Sequence, residues 1–352
     1  MMNVNRIFSY ALVCVVGLAV ASSALAQDDV VHRIKSSGKI QKQKGTIENV
    51  GVLSVTLKGR SGPEEIPVWE IAKISASNEP AELEEARARI ESGSYADALE
   101  VLDGIDTGFN PITDAEIDWN RALATAKMSF NGGAASAVDA AGVVRKFIVN
   151  NGKSYHYVPA TALLGRLAME AGNLDFAGKQ FTTLTKSTWP EYVARGHFLI
   201  GEVQMRSKKY DEALAAYDKV IGLSGNDDAT QQLKGLAQCQ KAKAQAMKGD
   251  TQGAVAALEK IIKLENPDNK ELFAYAYNAL GACYLQAKDL AEAEEKFLFT
   301  HLLFDTEATP HAEAVYQLAD IWNTEKRTDL SSEARQILKS RYRNTWWSSQ
   351  LN

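Results

Sequence analysis

The chain has 352 residues, of which 45% are hydrophobic and 24% charged, with a formal net charge of −5. A chain of this length buries a full core without disulfide staples, and its mild acidity argues against a general binder of polyanions.

Residues 1–26 read as an export signal. Arg6 is the only basic residue, an apolar run extends from about Ala11 to Ala21, and Ala24-Leu25-Ala26 supplies the small-x-small pattern of a cleavage site. The run is shorter than the ~20 residues of a comfortable membrane span, and polar Gln27-Asp28-Asp29 follows it, so cleavage before Gln27 is the better reading than anchorage. Cys14 would leave with the signal, and it lacks the small preceding residue of a lipoprotein cysteine. No later stretch is apolar for long enough to cross a bilayer. The expected product is secreted across the inner membrane and is periplasmic or associated with the cell envelope, with a net charge of −6 once Arg6 is gone.

Residues 27–78 have the pattern of a small β domain. The stretches VVHRI, GTIENV, VLSVTLK, EEIPV and IAKISA are rich in Val, Ile and Thr and are separated by SSGK, VG and GRSGP turns. Five short strands, with VWEI as a tight helical turn before the last, resemble a small SH3-like or Sm-like barrel. Arg33, Lys35, Lys39, Lys42 and Lys44 follow one another with no acidic residue between Val30 and Ile47. Such a basic patch suits an anionic envelope polymer, lipid headgroup or nucleic acid, and export removes the usual RNA. The plainer alternative is a solvated hairpin whose lysines protect strand edges.

From residue 79 to 343 the period changes to that of helices. In YDEALAAYDKVI, apolar groups at Tyr210, Ala213, Leu214, Tyr217, Val220 and Ile221 form one stripe, with Asp211, Glu212, Asp218 and Lys219 opposite. A second helical pattern precedes it across the polar break Ser207 to Lys209, so the unit is a helix hairpin. Tyr277, Leu280, Gly281, Tyr284, Ala293 and Phe297 give the fullest copy, followed by Leu164, Gly165, Ala177 and Phe181, and by Ile200, Gly201, Ala213 and Tyr217. Weaker copies are Ala86 with Ala98 and Leu102, Ala124 with Ser136 and Ala140, Ala242 with Ala254 and Leu258, and Ala319 with Ala334 and Leu338. These hairpins resemble the tetratricopeptide repeat. The small second-helix residue falls at 98, 136, 177, 213, 254, 293 and 334, a spacing of 36 to 41 where the family's usual period is about 34. The last copy is read with NTEKRTDLSS between its helices, and Pro190 and Pro267 stand where repeats end. The expected fold class is mainly α: a superhelix of about seven hairpins behind a small all-β, barrel-like domain.

The resemblance implies a concave groove lined by first helices. On this chain it maps to Arg166, Met169, Glu170, Arg195, Phe198, Glu202, Arg206, Lys243, Met247, Tyr275, Asn278 and Gln286. Mixed charge with Phe, Tyr and Met suits a protein or peptide segment. Paired Lys and Asn at the places that clamp a terminal carboxylate are missing, so recognition of a chain end is not implied. In the tail, residues 344–352, Trp346 and Trp347 read either as a cap over the last repeat or as a partner anchor.

Catalytic signals are weak. The five histidines have no metal-ligand spacing. NNGKS at Asn150 to Ser154 lacks the first glycine and the preceding strand of a phosphate loop, and no nucleophile elbow is present. Cys239 and Cys283 can be bridged or free. The expected function is a non-enzymatic, cofactor-free and metal-free scaffold for a protein or peptide partner in the bacterial envelope, with no nucleic acid involved. The alternative makes the basic β domain the binder of an envelope polymer or lipid, and the repeats a spacer or oligomerisation module.

Overall fold

A computed structural model describes residues 28–35, 38–106, 108–225, 227–266 and 268–351, so the signal segment and Pro267 lie outside the described residues. Five antiparallel strands come first: β1 (Asp29–Ile34), β2 (Ile40–Val50), β3 (Ser54–Gly59), β4 (Gly62–Pro67) and β5 (Ile71–Ser75). The sheet order is β4-β3-β2-β1-β5. The expected helical turn is present as a 3-10 turn at Val68–Glu70. The expected barrel is not formed. Among the described residues β4 and β5 are the two edges of an open sheet, and Pro63 and Pro67 bring no amide hydrogen to the β4 edge. Closure is not needed to bury the inner face. Val31, Val55, Leu57, Ile66 and Ile74 are covered by the helical region, through buried Tyr155 and the partly buried Ile112 and Trp189.

A buried ion cluster fastens that seam. Arg87 donates to Glu79 at 2.5 Å, to Glu116 at 2.9 Å and to the Ile74 carbonyl of β5 at 3.2 Å. Tyr155 donates its hydroxyl to Glu116 at 2.8 Å, and the His156 ring meets the same carboxylate at 2.9 Å. The sheet and the first hairpins therefore share one interior.

Seven hairpins follow: α1 (Ala81–Glu91) with α2 (Tyr95–Asp103), α3 (Pro111–Phe130) with α4 (Ala137–Asn150), α5 (Tyr157–Glu170) with α6 (Leu174–Leu184), α7 (Pro190–Arg206) with α8 (Tyr210–Ile221), α9 (Asp228–Met247) with α10 (Thr251–Leu264), α11 (Lys270–Gln286) with α12 (Leu290–Leu303), and α13 (Ala308–Thr324) with α14 (Thr328–Arg341). A short α15 (Trp346–Ser349) closes the chain. Every first helix ends in the same way. A residue with left-handed backbone follows it, at Gly93, Gly132, Gly172, Lys208, Gly249, Lys288 and Lys326. The next amide then bonds back to the last helical turn, as Asn173 does to Ala168 and Arg327 to Trp322, both at 2.8 Å.

That turn sets the register and corrects two of the seven alignments. Ala98, Ala177, Ala213, Ala254 and Ala293 each stand five residues after the left-handed position. In the last hairpin this place belongs to Ser331, which is buried and donates to the Ala319 carbonyl at 2.9 Å. Helix α13 runs on to Thr324 and α14 starts at Thr328, so NTEKRTDLSS is mostly helix, and Ala334 and Leu338 continue the same buried stripe. In the second hairpin a longer turn makes Ser136 the N-cap, accepting from the Asp139 amide, and Ala140 takes the packed position.

The packing logic is steric. A Cβ on Gly281 would lie 2.7 Å from the Phe297 ring, so the glycine lets the two helices of that hairpin close on the aromatic. Cys239 and Cys283 are buried and free. Burial pushes the Cys239 thiol up to about 12 and that of Cys283 up to about 11, which leaves both inert at neutral pH.

Candidate binding groove

First helices of neighbouring repeats face one another across the inside of the superhelix, and charged pairs join them. Arg206 of α7 donates to Glu170 of α5 at 3.0 Å and to the Met169 carbonyl at 3.2 Å. Lys243 of α9 pairs with Glu313 of α13, skipping a repeat. Phe198 of α7 meets Tyr275 of α11 edge-on at 6.2 Å, again skipping one. These contacts cross the inside of the superhelix and narrow the groove.

Two cavities remain within it. One of about 450 Å³ is bordered by Glu202, Arg206, Lys243, Met247, Tyr275 and Gln286, together with Trp346 and Trp347 of the tail. Another of about 300 Å³ is bordered by Arg166, Met169, Glu170, Arg195, Phe198 and Tyr275, with Leu199, Leu233 and Leu236 at its apolar end. The groove residues anticipated from sequence thus converge on these two spaces, with one exception. Asn278 is buried and donates to the Pro310 carbonyl at 2.7 Å, so it fastens α11 to α13. Met169, Phe198 and Tyr275 are nearly covered as well and form floor.

Electrostatics vary along the groove. Burial pushes the Glu202 carboxyl up, against the pull of Lys243 and of the Tyr217 hydroxyl that donates to it at 2.8 Å. Arg195 donates to Glu191 at 2.6 Å, but its Nε is buried without a partner. Burial, and then the charge of Arg195, lowers the pKa of Arg166, whose guanidinium lies 4.8 Å over the Phe130 ring.

Several groove residues had no sequence signal. Lys127 and Phe130 border a third space of about 210 Å³ with Arg166 and Trp347. Glu313 and Tyr316 of α13 enter the 450 Å³ cavity. The tail belongs to the groove too. Trp346 donates its amide to Glu170 at 2.8 Å and lies 5.6 Å under the Arg206 guanidinium. Trp347 stacks near Tyr316 at 5.3 Å, within the core of the last repeat. The pair therefore divides its work, Trp347 covering the last hairpin and Trp346 joining it to the third.

The basic patch is changed by the fold. Arg33 is committed to Glu64 at 2.5 Å and Glu70 at 2.6 Å. Lys39, Lys42 and Lys44 stay exposed. Lys42 and Lys44 stand in the half of β2, residues 40–45, that pairs with β1, while residues 46–50 pair with β3, so on the side away from β1 these lysines have no strand partner among the described residues. Among the described residues no group of three or more His, Cys, Asp or Glu could hold a metal ion.

A series of helix hairpins with small residues at the crossings and a first-helix groove defines a helical-repeat solenoid. The chain carries tetratricopeptide repeats: residues 163–228 and 239–298 match the tetratricopeptide repeat family model. Among solved structures, it is similar to a tetratricopeptide repeat protein from Parabacteroides merdae ATCC 43184, with TM-score 0.52 at 15% identity over 74% of this chain and 92% of that one. It is also similar to a Rap protein complexed with Competence and Sporulation Factor, with TM-score 0.50 at 16% identity over 76% of each chain. Both likenesses concern the fold. No curated protein sequence matches the chain.

Proposed function

We propose that this protein is an exported, non-enzymatic scaffold that holds a segment of a protein or peptide partner of the bacterial envelope in its concave groove. The observation that carries the reading is the pair of cavities between first helices, with aromatic, thioether and charged walls. Tetratricopeptide repeats commonly present such a face, and the similar Rap structure contains Competence and Sporulation Factor. Export rests on the signal-like residues 1–26.

Met247, partly buried, and Gln286, exposed, border the larger cavity. In a pull-down from a bacterial envelope fraction, Met247→Glu with Gln286→Glu is expected to abolish capture of the partner while Lys260→Glu on the outer helix α10 leaves it intact. Equal capture by both variants rejects the groove.

A second reading has its own support. Lys39, Lys42 and Lys44 are exposed, and none of them makes an ion pair among the described residues, which suits an anionic glycan or lipid. Because the sheet shares its core with Tyr155, Ile112 and Trp189, the test belongs in the whole chain: Lys39→Glu, Lys42→Glu and Lys44→Glu together abolish binding to anionic vesicles if this surface is the binder.

A further inference from the structure

Three cations occupy corresponding walls of the groove on three consecutive first helices: Lys127 on α3, Arg166 on α5 and Arg195 on α7. Elsewhere in the groove positive groups are matched, Arg206 by Glu170 and Lys243 by Glu313. This group is under-matched. Among the described residues neither the Lys127 ammonium nor the Arg166 guanidinium makes a hydrogen bond or an ion pair, and the Arg195 Nε is buried without an acceptor. A half-buried arginine stacked only on Phe130, beside a donor that water does not reach, is costly unless something accepts from it.

The surrounding acids do not fill that role. Glu170 already accepts from Arg206 and from the Trp346 amide, and Glu191 accepts from Arg195 on its own helix. Glu271, across the cavity, accepts from Gln232. Arg166 borders both the 210 Å³ space that Lys127 enters and the 300 Å³ cavity that Arg195 enters, so it joins the two. The second of these ends in apolar wall formed by Phe198, Leu199, Leu233 and Leu236. Partial burial of the ammonium, and then the charges of Arg166 and Arg195, lowers the Lys127 pKa, in keeping with three cations along one stretch of the groove.

We propose that Lys127, Arg166 and Arg195 read a carboxylate side chain of the bound peptide, with an apolar peptide residue beside it against Phe198 and Leu233. This rests on the groove reading above and adds the chemistry of the occupant: an acidic residue close to an aliphatic or aromatic one. Arginine suits the task because its planar fork meets a carboxylate with two parallel bonds.

The probe is a fluorescein-labelled, C-terminally amidated peptide, Glu-Glu-Leu repeated twice, compared by anisotropy with its Gln-Gln-Leu counterpart on the whole chain. The Glu peptide is expected to bind about 10-fold more tightly, the worth of one charge-assisted contact. Lys127→Gln and Arg166→Gln should each remove most of that preference, while Arg166→Lys keeps part of it. Lys127 keeps much of its side chain in solvent although the groove walls partly desolvate its ammonium, so its replacement tests charge with little effect on folding. Equal binding of the two peptides, or a preference that survives both variants, overturns the proposal. So does binding only of a Gln-Gln-Leu peptide with a free C-terminus, which would mean recognition of a chain end. If neither peptide binds while the partner of the Met247 and Gln286 pull-down is still captured, the carboxylate assignment falls and the groove stands.

Discussion

Lysine is a poor occupant of left-handed backbone, yet Lys208, Lys288 and Lys326 hold that place at φ 58°, 64° and 63° in turns where four other hairpins use glycine. Lys288→Gly is therefore expected to stabilise the fold by about 1 kcal/mol, read as a higher urea midpoint. Gly281→Ala should act in the opposite sense, by about 1–3 kcal/mol, because the new Cβ meets the Phe297 ring. A third residue-level effect concerns pH. His311 is buried between His301, 2.9 Å away, and the Tyr342 hydroxyl at 2.6 Å, with Asp305 and Arg341 nearby. Burial, and then the His301 charge, lowers its pKa from 6.5 to about 4. Between those values the unfolded chain binds a proton that the folded one refuses. Stability from this group is thus complete above pH 6.5 and falls as pH drops towards 4, by at most about 3 kcal/mol. Denaturation midpoints across that range should flatten in His311→Gln; an unchanged slope contradicts the assignment.

Among elements, the tail does the least expected work. Asn344 donates to the carbonyls of Ser129, Gly133 and Ala135 at 3.3, 3.2 and 2.8 Å, and Arg343 also reaches Gly133, so the end of the chain lies on the second hairpin. A one-dimensional array thereby gains contacts between distant repeats. Trp346→Ala, which loses the Arg206 stack and apolar cover, should cost about 1–2 kcal/mol and speed amide exchange at the C-terminal end of α5; unaltered exchange there would show that the tail is merely adjacent. The helices themselves were legible because a stripe such as Tyr210, Ala213, Tyr217 and Val220 states its period within one element. Register was less so. Ser136 and Ala334 were chosen by residue type, whereas the left-handed turn, which decides register, has no required residue type when lysine can fill it. The open sheet escaped reading for a related reason: alternation marks strands, and the decision to close depends on what else covers the face, here Tyr155, Ile112 and Trp189.

At the scale of the molecule, the curvature of the superhelix decides what the groove can hold. Pairs such as Arg206 with Glu170 and Lys243 with Glu313 join residues tens of positions apart, and single-sequence periodicity says nothing about which faces meet at that distance. The candidate groove residues could be found from repeat position, but Lys127, Glu313 and the two tryptophans enter it only through the tight winding. Narrowness favours an extended segment over a folded domain surface, since cavities of about 450 and 300 Å³ admit a few side chains each. The central claim is that a polypeptide lies in this groove. It is tested most directly by placing a photo-crosslinking residue at Gln286, and separately at Lys260 on the outer helix, in the full chain expressed in bacterial cells, then sequencing the crosslinked peptides. The account predicts one recurrent peptide segment captured from Gln286 and none from Lys260; the same captures from both positions, or from Lys260 alone, would contradict it.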